Sequence, residues 1–138
     1  MDNIYCHDDN ITTEWVNDVK YMRPSTHPNH GRIYKKIFNK LANYLDDKTC
    51  ELFPDKTDLC ISDPKEPINI SSLRKPIVPD LFVICDDKFE LVGNSIVAIP
   101  DFICEIVSPS SIKMDNIIKK KLYLSKGVRE YWIVNNNY

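Results

Sequence analysis

The chain has 138 residues, 43% of them apolar and 28% charged, which is typical of about one globular domain and excludes collagen-like, coiled-coil and wholly disordered chains. Its formal net charge of −2 carries no overall nucleic-acid signature, and its three glycines cannot supply a P-loop or a dinucleotide-binding fingerprint. No apolar run approaches the roughly 20 residues of a membrane-spanning helix, and the amino terminus lacks the features of a secretion signal. We therefore expect a soluble cytoplasmic protein with no membrane segment, neither a P-loop NTPase nor a Rossmann dehydrogenase.

The chain contains five cysteines, an odd number with no CxxC pair among them. This pattern argues against a disulfide framework and against a zinc ribbon, because both need cysteines in pairs at regular spacing. Cys85 and Cys104 lie inside apolar runs, and we expect both to be small buried hydrophobic side chains.

The first elements predicted along the chain are an arm, a strand, a loop and a helix. Residues 1–13 are polar and indicate a loose N-terminal arm, whereas 14–22 favour a short strand. Prolines, polar residues and a glycine in 24–31 favour a loop. Apolar residues then recur at helical spacing and predict an amphipathic helix over about 31–46. Its apolar face consists of Ile33, Ile37, Phe38, Leu41, Ala42 and Leu45.

The middle of the chain predicts several strands. A strand is expected within 51–62, and the prolines, serines and charges of 63–75 indicate a loop. The apolar runs over 77–85 and 96–107 are typical of central strands that are buried on both faces. A hairpin is expected between 89 and 99, because it would turn at Gly93-Asn94.

The last elements predicted are a helix and a strand. The serines of 108–111 break the preceding strand and can cap a helix over about 112–126, which ends at Gly127. The residues 131–134 favour a final strand. This order of elements predicts an α/β or α+β fold with helices packed on a mixed β-sheet, and a single domain over 14–138.

Two carboxylates lie within the apolar runs. Asp80 follows Pro79 and begins the run that continues with Leu81, and Glu105 is embedded between Cys104 and Ile106. A buried carboxylate without a partner costs several kcal/mol, so such a group shifts its pKa, pairs with a base or binds a metal. A single buried acid could be a satisfied structural group. Two of them on neighbouring strands favour a shared divalent cation, and oxygen ligands suit magnesium or manganese better than zinc.

The helix after Glu105 carries three polar residues on one face. Asp115, Lys119 and Tyr123 are spaced i, i+4, i+8, so their side chains project in the same direction. Two interpretations are open: an exposed ion pair with an amphipathic tyrosine, or a face directed at the metal site. In the second, Lys119 would orient the attacking water and offset charge that builds on a phosphate.

Several motifs together resemble a known family. Pro79 to Val83 reads PDLFV, and Pro100 to Ser111 reads PDFICEIVSPSS. The Asp115, Lys119 and Tyr123 spacing is followed by GVREYWIV over 127–134. These motifs are similar to those of the Uma-type putative restriction endonuclease family, a former domain of unknown function in the PD-(D/E)xK nuclease superfamily. The resemblance covers about 14–135 and includes the stretch from Met22 to His30.

The resemblance implies a restriction-endonuclease-like fold and an Mg²⁺-dependent endodeoxyribonuclease, with Mn²⁺ as an alternative ion. Asp80 and Glu105 would be the metal ligands and, with Lys119, the catalytic residues. The usual superfamily lysine, two residues after the glutamate, is replaced by Val107, so the family's lysine on the following helix maps to Lys119. His30, Asp115 and Tyr123 would lie at the rim of the site. The candidates for phosphate contacts with DNA are Lys113, Lys120, Lys121 and Lys126.

The chain also departs from the family pattern. Members usually continue past the tryptophan strand, and their aspartate after that strand is Asn135 here, so the resemblance suggests a domain shortened at its carboxy terminus. A sheet that ends near Ile133 would leave an exposed edge, which favours a homodimer. Two other functions stay open: a catalytically inactive nucleic-acid-binding or structural relative, and a metal-dependent hydrolase of another phosphoester.

Overall fold

The computed structural model describes residues 12–23, 26–109 and 111–136, which form nine strands and a few helices. The first five strands are β1 (Thr12–Val16), β2 (Val19–Arg23), β3 (Cys50–Phe53), β4 (Asp58–Ile61) and β5 (Leu81–Cys85). The other four are β6 (Phe89–Val92), β7 (Ser95–Ala98), β8 (Phe102–Val107) and β9 (Glu130–Asn135). The helices are α1 (Pro28–Leu45), α2 (Ile70–Leu73), a π-helical segment (Met114–Lys119) and α3 (Lys120–Lys126). None of the helices described is both long and apolar enough to cross a membrane.

The strands form one hairpin and two mixed sheets, which confirms the predicted fold class. β1 and β2 pair only with each other, and the larger sheet has the order β3-β5-β8-β9. In that sheet β5 is antiparallel to β3 and β8, whereas β8 and β9 are parallel. The smaller sheet has the order β4-β7-β6, with β4 parallel to β7. The predicted hairpin around Gly93-Asn94 is confirmed as β6–β7.

The amino-terminal prediction was partly wrong. The strand expected over 14–22 is instead the β1–β2 hairpin, which turns at Asn17 and Asp18, both with positive φ. Asn and Asp tolerate the left-handed region, so this dipeptide permits a tight turn. Of the expected arm, residues 1–11 lie outside the described residues, and Thr12 and Thr13 belong to β1.

Helix α1 begins three residues earlier than predicted. His27 has extended backbone and its Nδ1 accepts a hydrogen bond from the Asn29 backbone N–H at 3.1 Å, so it caps the helix. Pro28 fits the first helical turn, where its missing N–H costs nothing. Hence the expected loop is shorter, and His30 lies on the first turn of α1 and not on a loop.

The region from 50 to 75 also differs from the prediction. The single strand expected in 51–62 is two strands, β3 and β4, which belong to different sheets. A turn between them contains Lys56 at a φ of 60°. The expected loop over 63–75 contains the one-turn helix α2, whose Asn69 side chain accepts a hydrogen bond from the Ser72 N–H.

The cysteine prediction was wrong for Cys85. Antiparallel pairing of β3 and β5 puts Cys50 opposite Cys85, and the two form a disulfide. An odd cysteine count does not exclude a single bridge, because strand register decides which two cysteines meet. Cys104 is free and fully buried, as expected. Burial, and then the charges of Asp80 and Glu105, raise the pKa of its thiol to about 12.

The core lies between the larger sheet and the elements that cover it. Phe82 and Ile103 are fully buried on the adjacent strands β5 and β8, where Phe53 stacks on Phe82 with ring centroids 4.9 Å apart. Tyr123 of α3 is also fully buried, and its ring meets that of Tyr131 on β9 edge-on. The helical segment before β9 is therefore held against the sheet, with its polar face towards the ends of β5 and β8.

Candidate active site

The pairing of β5 with β8 brings Asp80 and Glu105 to the same part of the sheet. Asp80 lies just before β5, and its Oδ2 accepts a hydrogen bond from the Ile106 backbone N–H at 2.6 Å. Glu105 lies on β8 and directly precedes Ile106. Both side chains are buried, with relative exposures of 2% for Asp80 and 1% for Glu105. The expectation that these two acids lie on neighbouring strands is confirmed for Glu105 on β8, whereas Asp80 directly precedes the neighbouring strand β5.

Asp80 is stabilised in its ionised form. Its Oδ1 lies 2.9 Å from Arg23 Nη2 and 3.2 Å from His30 Nε2. Burial alone would raise the pKa of this carboxyl, but the hydrogen bond from His30 and the charge of Arg23 outweigh burial and lower it to about 2. Asp80 is therefore an anion at neutral pH.

The pKa of Glu105 is shifted in the opposite direction from that of Asp80. Its Oε1 accepts hydrogen bonds from Lys119 Nζ at 3.2 Å and from the Tyr123 hydroxyl at 3.1 Å. Complete burial raises the pKa of Glu105 to about 8; the charge of Lys119 opposes this shift and the charge of Asp80 adds to it.

Lys119 is buried, with 2% relative exposure, and lies among three carboxylates. Besides Glu105, its Nζ is 3.4 Å from Asp115 Oδ1 and 3.0 Å from Glu14 Oε2. Burial would lower the pKa of this ammonium, but the charges of Glu105, Glu14 and Asp115 raise it overall. Lys119 is therefore a permanent cation inside the protein, not a solvated residue of the helix face.

The helix that carries Lys119 is not a regular α-helix. Residues Met114–Lys119 form a π-helical turn, which continues into α3 at Lys120. The predicted helix over 112–126 and its end at Gly127 are confirmed, and Gly127 has a φ of 89°. Asp115, Lys119 and Tyr123 are all buried, so the interpretation as an exposed face was wrong. π-turns inside α-helices occur frequently at functional sites.

Two residues of the site, Glu14 and Arg23, were not predicted from the sequence. Glu14 of β1 is 4% exposed, and its Oε1 accepts a hydrogen bond from the Val78 N–H at 3.1 Å. Arg23 of β2 contacts Asp80 and lies 3.8 Å from Glu14 through its Nε. One signal for Glu14 was present in the sequence: it alternates with Val16, so both side chains lie on the buried face of β1.

Some of these site residues line a cavity of about 440 Å³, whereas Asp80, Glu105 and Tyr123 are not among the residues of its wall. Its walls include Glu14, Arg23, His30, Asp115 and Lys119, together with backbone and side chains near the end of β8. Lys113, Lys120, Lys121 and Lys126 are exposed, and none of these four, all within the described part of the chain, lines the cavity.

The donor atoms of the cluster are of the kind that a hard cation takes. Among the described residues, four buried carboxyl groups, on Glu14, Asp80, Glu105 and Asp115, lie with the cations Lys119 and Arg23, and Glu105, with its pKa raised to about 8, keeps a proton at neutral pH in the metal-free protein. Glu105 accepts the hydrogen bonds from Lys119 and Tyr123 through Oε1, and its Oε2 takes part in neither. Among the residues described, no three His, Cys, Asp or Glu side chains are grouped to hold a metal. A cation here would keep several waters, as Mg²⁺ does when one or two carboxylates bind it.

Two comparisons relate this chain to known proteins. A family model described as putative restriction endonuclease (Uma2) matches residues 4–137. The fold is similar to a crystal structure of a putative nuclease belonging to DUF820 from Anabaena variabilis ATCC 29413, with a TM-score of 0.67 and 16% sequence identity. The match covers 89% of this chain, which spans 65% of the length of that chain. No curated protein matches the sequence.

Proposed function

Because the chain belongs to the putative restriction endonuclease family, as its motifs predicted, we propose that it is a metal-dependent endonuclease that hydrolyses phosphodiester bonds in DNA. The observation that carries the proposal is the buried cluster of Asp80, Glu105 and Lys119 on adjoining elements. Isolated buried charges are costly, and clusters of buried titratable groups with strongly shifted pKa values are concentrated at functional sites.

In this proposal Asp80 and Glu105 hold Mg²⁺ or Mn²⁺. When bound, the ion supplies Lewis-acid stabilisation of the phosphate and a more acidic water. Water attacks the phosphorus, one P–O ester bond breaks, and the departing oxygen takes up a proton. Lys119 provides a fixed positive charge beside Glu105, and this charge stabilises the negative charge that builds up on the phosphate.

The residues that contact Asp80, Glu105 and Lys119 have separate roles in this proposal. His30 and Arg23 keep Asp80 ionised and oriented, since both contact its Oδ1. Asp115 and Tyr123 hold Lys119 and Glu105, respectively, in place. The exposed lysines outside the cavity bind the DNA backbone: Lys113, Lys120, Lys121 and Lys126.

The test is cleavage of supercoiled plasmid DNA with Mg²⁺, Mn²⁺ or EDTA. We expect nicking or linearisation with either metal and none in EDTA. Asp80→Asn and Glu105→Gln should each lower the rate by about 10²-fold or more, the scale of losing one electrostatic contact in an active site. Glu130→Gln is the matched control, because Glu130 is an exposed carboxylate on β9, the strand beside β8.

Three results would overturn the proposal. Equal cleavage by the wild type and Asp80→Asn would exclude a role for the cluster. Absence of plasmid cleavage, together with hydrolysis of a small phosphoester that Asp80→Asn abolishes, would assign the site to a different substrate. DNA binding without hydrolysis of any phosphoester would identify an inactive relative.

We further propose a homodimer that forms through β9. This strand is the last of the larger sheet, β3-β5-β8-β9, and its Trp132 is 48% exposed. A strand at the edge of a sheet can pair with another chain, and pairing with a second copy would cover it. Light scattering at tens of micromolar protein should give about twice the 16.1 kDa of one chain. A mass near 16 kDa would contradict the dimer.

A further inference from the structure

Glu14 contacts two separate parts of the cluster with one carboxylate. Its Oε1 accepts a hydrogen bond from the Val78 N–H at 3.1 Å, two residues before Asp80. Its Oε2 lies 3.0 Å from Lys119 Nζ, which is closer than Glu105 or Asp115 lies to that ammonium. The side chain is 5% exposed, so both contacts are made away from bulk solvent.

The hairpin that carries Glu14 is also fixed to the segment before β5. The Trp15 N–H donates to the Pro76 carbonyl at 2.9 Å, and Arg23 Nη1 donates to the Val78 carbonyl at 2.6 Å. With the bond from Val78 to Glu14, three hydrogen bonds join the hairpin to 76–78. Arg23 extends this connection to the Asp80 carboxylate. The backbone position of Asp80 therefore depends on β1 and β2.

We propose that Glu14 is a positioning residue, which holds the Lys119 ammonium at a fixed place relative to Asp80 and Glu105. This inference rests on the proposed function for its kinetic consequence, but the geometry it describes exists without substrate. In this proposal Glu14 contacts Val78 and Lys119 and is not assigned as a metal ligand.

The informative substitution is Glu14→Gln, which keeps the shape and the acceptor for the Val78 N–H but removes the charge beside Lys119. Glu14→Asp keeps the charge and shortens the side chain, so it provides a second folded variant with partial rescue. Asp18→Asn is the matched control, because Asp18 lies on the same hairpin, is exposed, and pairs with Lys75 outside the cavity.

The first measurement is reductive methylation of lysines followed by mass spectrometry, without DNA or metal. Lys120 is exposed and serves as the internal reference. We expect the labelling of Lys119, relative to Lys120, to rise about ten-fold in Glu14→Gln, the scale of losing one charge-assisted hydrogen bond. Asp18→Asn should label like the wild type. Unchanged Lys119 labelling in Glu14→Gln would overturn the proposal.

The second measurement is plasmid cleavage with Mn²⁺. In Glu14→Gln we expect kcat to fall by about 10-fold to 10²-fold, the scale of a misplaced catalytic group, with KM unchanged and partial recovery in Glu14→Asp. Calorimetric titration with Mn²⁺ should give the wild-type affinity in Glu14→Gln; a ten-fold loss would make Glu14 a ligand and overturn the positioning role. If the wild type cleaves no substrate, the proposed function fails, and the labelling result alone decides the role of Glu14.

Discussion

Lys119 forms ion pairs with several carboxylates of the cluster. Its ammonium touches Glu14, Glu105 and Asp115, which belong to three different elements. A cation in this place neutralises carboxylates that would otherwise repel each other, and it can stabilise new negative charge with little reorganisation. The neighbouring Lys120 and Lys121 are exposed, so Lys119 is the lysine of this helix that faces the buried carboxylates.

Lys119→Ala should lower the turnover of DNA cleavage by about 10²-fold or more, because it removes the ammonium that contacts three carboxylates of the cluster. Mn²⁺ binding, measured by calorimetry, should remain, since the carboxylates of Asp80 and Glu105 are retained. Lys120→Ala is the control, as its side chain is exposed on the next residue. Cleavage at the wild-type rate by a folded Lys119→Ala variant would exclude the role.

Glu105 makes stability depend on pH in the metal-free protein. Burial raises the pKa of Glu105 from 4.5 to about 8, so between these values the folded chain binds a proton that the unfolded chain has released. The free energy of unfolding should therefore fall as the pH rises through this window. Asp80, with its pKa lowered to about 2, acts in the opposite sense, and its contribution is lost only as the pH falls below about 4.

Urea unfolding in EDTA at pH 5.5 and pH 8.5 measures this effect. The wild type should be less stable at the higher pH, and Glu105→Gln should show a smaller difference, because Gln does not titrate. An equal pH dependence in both proteins would contradict the raised pKa of Glu105.

The helical elements carry two glycines with opposite backbone requirements. Gly127 ends α3 with a φ of 89°, which L side chains rarely adopt. Gly31 lies inside α1, and a Cβ built on it meets nothing within 4 Å. Glycine is therefore required at 127. At 31 it has no such role, and its greater freedom in the unfolded chain makes folding cost more conformational entropy.

Gly127→Ala should lower the free energy of unfolding by about 1 kcal/mol or more, and Gly31→Ala should raise it by about 0.5–1 kcal/mol. Urea denaturation of both variants beside the wild type gives the comparison. A stabilising Gly127→Ala would show that the left-handed end of α3 is absent from the solution structure.

The helices and strands that could be predicted from the sequence are those in which apolar residues follow an uninterrupted periodic pattern. Asp115, Lys119 and Tyr123 were identified as one face because their spacing follows the helix, and Asp80 and Glu105 because they interrupt apolar runs. The β1–β2 turn had a local signal, Asn17-Asp18, that was overlooked. The π-turn and the disulfide had none, because a helix adapts to the groups it packs against and strand register decides which cysteines meet.

Glu14 and Arg23 were missed for a different reason. Their partners Val78 and Asp80 are 55 to 64 positions away in the chain, and nothing local in either segment indicates the other. The candidate catalytic residues could be identified from the sequence, whereas the residues that orient them could be identified only from the tertiary structure.

At the scale of the whole molecule, charge is distributed unevenly. The net charge is −2, yet the segment that leads from the site to β9 exposes several lysines. Binding to DNA would therefore depend on this local group of cations and not on the overall charge.

Lys120→Ala and Lys121→Ala should each weaken DNA binding modestly and reduce the slope of log affinity against log salt by about one phosphate contact. Fluorescence anisotropy with a labelled duplex, repeated at salt concentrations from about 50 to 200 mM, measures both the affinity and its salt dependence. Lys48→Ala is the control, because Lys48 pairs with Asp47 after α1, away from this segment. Equal salt slopes for all these proteins would contradict a role of these lysines in DNA binding.

The bond between Val78 and Glu14 spans 64 positions, and the contact between Glu14 and Lys119 reaches farther still along the chain. Contacts so distant in sequence form only after long loops have closed, which is slow and unfavourable until the rest of the structure supports it. A chain still emerging from the ribosome therefore carries the carboxylates of Glu14 and Asp80 before the lysine that neutralises them has been synthesised. The assembled cluster therefore exists only in chains that have been synthesised as far as Lys119 and have folded.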